Sequence, residues 1–281
     1  MGDLIPLFPL GSPLFPGIVL PLQVFEPRYR VLVQDLLALP EDGDRRFFGV
    51  VAIRQGWEVE RVAPAEALYD VGCTARVQVV RPQPDGGFRI VTVGGDRFRL
   101  LDVLVGGGAG EDAESAPPYL RAEVEWLADE EAAEEAAGDQ EQVLGGPPAA
   151  GLDEGLVAEA ARGSLGLLER GVGRLFTRYV TAVAGLQTGR EETAVAGEAE
   201  ELGGAAALLD AVAGDPRALS YLVASAALLT TEDRQALLAE SATRRRLLTE
   251  TRMLRRELTL LKTVGAVPAP LQQFAGPLSL N

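Results

Sequence analysis

Residues 5–37 read IPLFPLGSPLFPGIVLPLQVFEPRYRVLVQDLL. The first part is apolar but punctuated by Pro6, Pro9, Pro13, Pro16 and Pro21. Each proline removes a backbone donor, so residues 4–25 read as an extended, bulged segment along a sheet edge, not a regular central strand. Pro27 then suits the first turn of a helix, with Glu26 favourable beside its N-terminus. Tyr29, Leu32, Val33, Leu36 and Leu37 recur at i, i+3, i+4, i+7 and i+8, one apolar helical face.

Strand signals follow outward from this stretch. Phe47–Ile53 is a short apolar run. Val71, Cys73, Ala75, Val77 and Val79 alternate with Gly72, Thr74, Arg76 and Gln78, the period of a half-buried strand. Pro84-Asp85-Gly86-Gly87 marks a turn, and Phe88–Val93 runs back as a hairpin partner. Gly94-Gly95 punctuates, Asp96–Val105 resumes as strand, and Tyr119–Leu127 is the last of the series.

The pattern changes after residue 128. Residues 129–152 carry no basic and 7 acidic residues, about half of the net charge of −15. This reads as a solvated acidic connector whose Ala/Glu part could form a short helix ended by Gly145-Gly146-Pro147-Pro148. Beyond it Leu165, Leu168, Val172, Leu175, Tyr179, Val183 and Leu186 recur at helical spacing, weakened by Gly163, Gly166, Gly171 and Gly173. Asp215 caps a helix with Pro216 at its first position, and Thr230 or Thr231 starts another. A final helix over about 242–264 carries Leu247, Thr251, Leu254, Leu258 and Leu261 at 4-3-4-3 spacing, a short heptad seam. The expectation is an α+β protein: a β-rich domain with one helix at 1–128, the linker at 129–152, an all-α helical bundle at 153–264 and an irregular tail at 265–281.

Composition excludes much chemistry. The 281 residues include no histidine, one cysteine and one lysine, Lys262, among 26 basic residues. Triads and dyads that use imidazole, His-containing zinc sites and intramolecular disulfides are therefore out of reach. Gly106-Gly107-Gly108 and Gly203-Gly204 lack the Lys-Ser/Thr that completes a phosphate-binding loop. Cys73 lies on the apolar face of its strand, which suits a buried structural thiol better than a reactive one. Glu58/Glu60 and Glu123/Glu125 read as solvent faces of strands. No catalytic residue, metal site or cofactor is expected.

Overall acidity argues against nucleic acid, whose phosphates need a positive field. The Arg244-Arg245-Arg246 cluster, with Arg252, Arg255, Arg256 and Lys262, has no interleaved aromatic residue for base stacking and has an intramolecular partner in the acidic stretch 129–141. No apolar run is long enough to span a membrane, and MGDLIPLFPLG lacks the charged start of a signal peptide. A cytoplasmic protein is expected.

The ordered blocks IPLFPLGSPLFPGIVLPLQVFEPRYRVLVQDLL at 5–37, FGVV at 48–51, VGCTARV at 71–77, GDRFRL at 95–100 and PYLRAEVEWL at 118–127 resemble the N-terminal, substrate-binding domain of Lon proteases. DPRALSYLVASAALLTTEDRQALLAES at 215–241 and the Arg/Leu-rich helix after it continue the likeness. Lon itself goes on to an ATPase module and a Ser-Lys peptidase, and neither motif occurs in this sequence. The likeness is therefore to a stand-alone Lon N-terminal-domain protein without enzyme activity. It implies a β-rich pseudo-barrel or curved sheet followed by a helical bundle, and a module that binds unfolded or degron-bearing polypeptides. Under that reading Phe15, Leu20, Phe25, Tyr29 and Phe98 would supply apolar contacts, with Arg28 and Arg97 as polar anchors. The alternative is an assembly or adaptor protein, in which the seam Leu247, Leu254, Leu258 and Leu261 pairs with a second copy or a dedicated partner.

Overall fold

The computed structural model describes residues 2–40, 45–54, 64–106, 116–130, 154–188 and 206–265. Most of the connector, most of the tail and residues 189–205 lie outside these described residues. The described residues form six strands: β1 (Asp3–Leu10), β2 (Val19–Val24), β3 (Phe47–Ala52), β4 (Val71–Pro82), β5 (Phe88–Leu104) and β6 (Arg121–Leu127). The helices are α1 (Pro27–Ala38), α2 (Pro64–Ala67), α3 (Glu154–Thr188), α4 (Pro216–Ala226), α5 (Thr231–Ala239) and α6 (Thr243–Val264). The chain divides into two compact units, Met1–Ala128 with Thr231–Ala239, and Asp129–Thr230 with Glu240–Asn281. Helix α5 thus belongs with the strands, apart from the other helices with which its sequence groups it.

In the first unit the strand order is β2-β5-β4-β3-β1-β6, and β5 also pairs with β6. The pairings β5-β4-β3-β1-β6-β5 therefore close on themselves, with β2 left as an edge on one half of β5. Two strands make this possible by changing partners along their length. Residues Phe88–Val93 of β5 pair with β2, whereas Arg97–Leu104 pair with β6. Gly94-Gly95 sits at the hand-over. Instead of ending a strand, as the sequence suggested, the glycines leave one 17-residue strand intact. Their reason is a close crossing: a Cβ at Gly94 would lie 2.0 Å from the Phe15 carbonyl oxygen. The Gly94 amide donates to Ile18 at 2.9 Å, and its carbonyl accepts from Gly17 at 2.8 Å.

The proline-rich entry corrects a second expectation. β1 is interior, parallel to β3 and antiparallel to β6. Its first half, Asp3–Pro6, pairs with β6 and its second, Leu7–Leu10, with β3. Each half leans mainly on one neighbour, which is where a missing proline donor is tolerated. β2, with Pro21, does occupy an edge as the composition implied. Residues Val71–Ala75 of β4 are buried throughout, not alternately. The side chain of Gln235 on α5 donates to the Val71 carbonyl at 2.7 Å, so this half of β4 is covered on both faces.

The core of this unit gathers Ile5, Leu7, Val51, Leu68, Phe98, Ala122 and Val124. Phe98 is fully buried, and its ring tip occupies space that a side chain at Gly72 or Gly49 would need, 2.4 and 2.7 Å from ideal Cβ positions. Cys73 is also fully buried, and burial pushes its thiol well above the ordinary range. This is the inert structural thiol the strand pattern implied.

In the second unit α6 packs along α3 and α4. The Asp215 carboxylate caps α4, accepting from the Ala218 amide at 2.9 Å, and Pro216 takes the first helical position. Helix α3 runs for 35 residues through its glycines. Nothing lies within 4 Å of a Cβ built at Gly171 or Gly173, and neither has a positive φ. Alanine at either position is therefore expected to stabilise the unit by about 0.5–1 kcal/mol, since glycine only adds backbone entropy to be lost there. Urea unfolding midpoints of Gly171→Ala and Gly173→Ala check this; a lowered midpoint would show that the glycines are needed for packing.

Candidate functional site

The opening segment builds a cleft of about 300 Å³ beside β2. Leu10 of β1, Leu22 and Val24 of β2, and Phe25, Arg28 and Tyr29 at the start of α1 line it. Pro27 at the first helical position makes the chain turn sharply after β2, with the Glu26 carbonyl accepting from the Tyr29 and Arg30 amides at 3.1 and 3.0 Å. That turn throws Phe25 outward, where it is 64% exposed. Tyr29 instead lies in the floor, 4% exposed, stacked on Phe8 with ring centroids 4.0 Å apart.

The polar rim consists of Gln23, Glu26 and Arg28. Arg28 is paired with Glu26 at 2.9 Å, both partly exposed, and its guanidinium lies over the Tyr29 ring at 4.7 Å. Burial raises the Tyr29 phenol above its ordinary value, with Arg28 opposing and Glu26 adding to the shift. The phenol therefore stays protonated at neutral pH and can donate, but it is no base. Alongside the cleft, β2 has β5 as its sheet neighbour on one side and, among the described residues, no strand on the other. Its outer row of backbone groups offers the pairing that an extended chain completes. Among the described residues no group of three or more His, Cys, Asp or Glu side chains converges to hold a metal.

The structure brings some of the sequence-nominated residues together here and removes others. Phe25 and Arg28 stand at the cleft with Tyr29 beneath them. Leu20 is half-buried on β2, where its carbonyl accepts from the Thr92 hydroxyl at 3.0 Å. Phe15 and Phe98 are 1% and 0% exposed and belong to the core. Arg97 is a structural ligand, not an anchor for a peptide. It is buried and donates to the Leu238 carbonyl at 2.9 Å and the Ala128 carbonyl at 3.0 Å. A cation at the last turn of α5 also suits the helix dipole. Leu10, Leu22 and Val24 were not among the nominated residues. For Leu22 and Val24 the signal lay in the alternation along β2 and into the residue after it, where Val19, Pro21, Gln23 and Phe25 are exposed and the residues between them turn inward.

The heptad seam does not present a pairing face. Leu247, Leu254, Leu258 and Leu261 are all buried within the helical unit. The basic cluster is likewise engaged internally: Arg246 meets Asp129 at 3.5 Å, and Arg245 meets Glu130 at 3.2 Å. The expected pairing of these arginines with the acidic stretch thus holds at its first two residues; the rest of 129–141 lies outside the described residues. No helix among the described residues is long and apolar enough to cross a membrane.

The strand unit thus combines a sheet closed through partner exchange, a cleft of largely apolar side chains and, among the described residues, an uncovered strand edge beside it. The chain belongs to the ATP-dependent protease La (LON) substrate-binding domain family, whose model matches residues 4–256. It is similar to Lon protease 1 of Herpetosiphon aurantiacus, 26% identical over 96% of this chain and 26% of that protein. Lon protease 2 of Sorangium cellulosum is 36% identical over 44% of this chain and 14% of its own length. The chain thus spans about a quarter or less of the curated relatives it matches. Among solved structures, the N-terminal domain of a Mycobacterium avium complex Lon protease is 16% identical with a TM-score of 0.47, covering 90% of this chain and 98% of that one.

Proposed function

We propose that this protein binds polypeptides without acting on them chemically, taking up unfolded or degron-bearing segments at the cleft between β2 and the start of α1. The family to which the chain belongs is a substrate-binding domain, which supports a polypeptide as the ligand. The observation that carries the site is Phe25: a large aromatic side chain 64% exposed at the mouth of an apolar cleft, next to a strand edge that no other described strand pairs with. An extended segment adds main-chain hydrogen bonds along β2 and places alternate apolar side chains over Leu22, Val24 and Tyr29. Burial of apolar surface contributes about 25 cal/mol per Å², offset by the cost of ordering the segment, so affinity is modest and sequence tolerance wide.

Replacing Phe25 by Asp tests this directly. Because Phe25 is exposed, the fold should be unaffected, while affinity for a permanently unfolded, fluorescein-labelled client falls by about tenfold, the loss of one good apolar anchor. Anisotropy titration reads the affinity and circular dichroism the fold. Unchanged client binding by a folded Phe25→Asp variant would remove the cleft from the mechanism. Cleavage of the client by the purified protein would remove the non-catalytic reading.

A further inference from the structure

The outer face of β2, β5 and β4 is a second surface, which shares only Gln23 with the cleft. Thr92 and Ile90 are fully buried, so the intervening side chains of β5 point away from the core. The cross-strand register places Val19, Val93 and Arg76 in one row, Pro21, Val91 and Val79 in the next, and Gln23, Arg89 and Arg81 in the third. Val19 and Val79 are 59% and 43% exposed. In a chain of net charge −15, these three rows contain three arginines and no carboxylate. The acidic residue of the connecting hairpin, Asp85, is at the turn, where its carboxylate accepts from the Gly87 amide at 3.0 Å.

Arg81 and Arg89 lie directly opposite one another. Like charges at such positions destabilise a sheet, and both are exposed. An anion placed between them removes that repulsion. The geometry points to this face as a docking surface for an acidic polypeptide, with carboxylates over Arg81 and Arg89 and aliphatic side chains over Pro21, Val79 and Val91. A nucleic acid would satisfy the arginines but not the valine–proline centre, and none of the nine positions is aromatic, as base stacking requires.

The probe is a fluorescein-labelled peptide of alternating valine and glutamate, with a valine–lysine peptide and oligo(dT) as comparisons. Wild-type protein should bind the valine–glutamate peptide in a salt-sensitive way. Arg89→Glu should weaken that binding by about tenfold while raising the thermal midpoint, because it turns a repulsive cross-strand pair into an attractive one. Arg81→Glu with Arg89→Glu should reverse the preference towards the valine–lysine peptide. Should either reversal fail to fold, Arg81→Gln with Arg89→Gln must still abolish the preference. Phe25→Asp should leave this affinity unchanged, which separates the surface from the cleft. Valine–glutamate binding insensitive to the arginine changes, loss of it in Phe25→Asp, or its displacement by oligo(dT) at lower concentrations than by unlabelled peptide would each overturn the proposal.

Discussion

Phe98→Ala is expected to destabilise the strand unit by about 3–5 kcal/mol, the usual cost of removing a fully buried aromatic ring. The upper part of that range applies here because the cavity cannot close easily. The ring tip lies against the backbones of Gly72 and Gly49 on two different strands, and the Val50 carbonyl is also close, 2.6 Å from an ideal Cβ at Gly72. Paired strands are held by their ladders and cannot collapse inward without breaking register. Phe98 also sits edge-on to Trp126, with ring centroids 6.4 Å apart, so the change removes an aromatic contact between β5 and β6. Those are the strands that close the ring of pairings. Denaturant unfolding followed by tryptophan fluorescence reads the loss; a change below about 1 kcal/mol, less than a single buried methyl pair, would mean the ring is not a keystone of the core.

Arg246→Met is expected to cost the helical unit about 3–5 kcal/mol, as breaking a buried ionic network from one side does. The Arg246 side chain is fully buried and donates to the Ser220 hydroxyl at 2.7 Å, the Thr243 hydroxyl at 3.2 Å and the Glu240 carbonyl. Its guanidinium also lies 4.0 Å from the centre of the Tyr221 ring. One helical turn on, Glu250 is buried with neither carboxylate oxygen hydrogen-bonded. Burial raises its pKa well above the usual carboxylate range, and the Arg246 charge acts in the opposite direction.

A raised value in the folded state means that the Glu250 proton stabilises the fold. That contribution is complete below the ordinary carboxylate range and is lost as pH rises through the folded-state value. Removing Arg246 raises the value further, so the damage grows with pH. Unfolding free energies of wild type, Arg246→Met and Arg246→Met with Glu250→Gln across the acid-to-neutral range check the sign. The second change should recover stability chiefly at the higher pH. Equal losses at all pH values would show that Arg246 acts through its hydrogen bonds alone.

Local signals in the chain were strong enough to read several elements directly. Pro27 after Glu26 announced α1, Pro84-Asp85-Gly86-Gly87 the β4–β5 hairpin, and Asp215-Pro216 the start of α4. Each depends on backbone chemistry confined to a few residues, so neighbours in sequence carry the information. The candidate site was half legible for the same reason. Phe25 and Arg28 are set by the turn that Pro27 imposes. The burial of Phe15, Arg97 and Phe98 is decided by strands far away in the chain.

Arg97 shows the limit most clearly. A charged residue in an alternating strand reads as solvent-facing, yet its guanidinium satisfies carbonyls at Ala128 and Leu238, the second 141 residues away. Gly94-Gly95 reads as a stop, because glycine weakens isolated strands, and becomes a crossing point only where Phe15 passes over it. By itself the amino-acid order determined the class of structure, the absence of imidazole chemistry and the family likeness. These follow from which residues are present and how they recur over short distances. Tertiary structure alone decided which apolar and charged side chains reach solvent, because strand register and partner exchange set which face of each strand is covered.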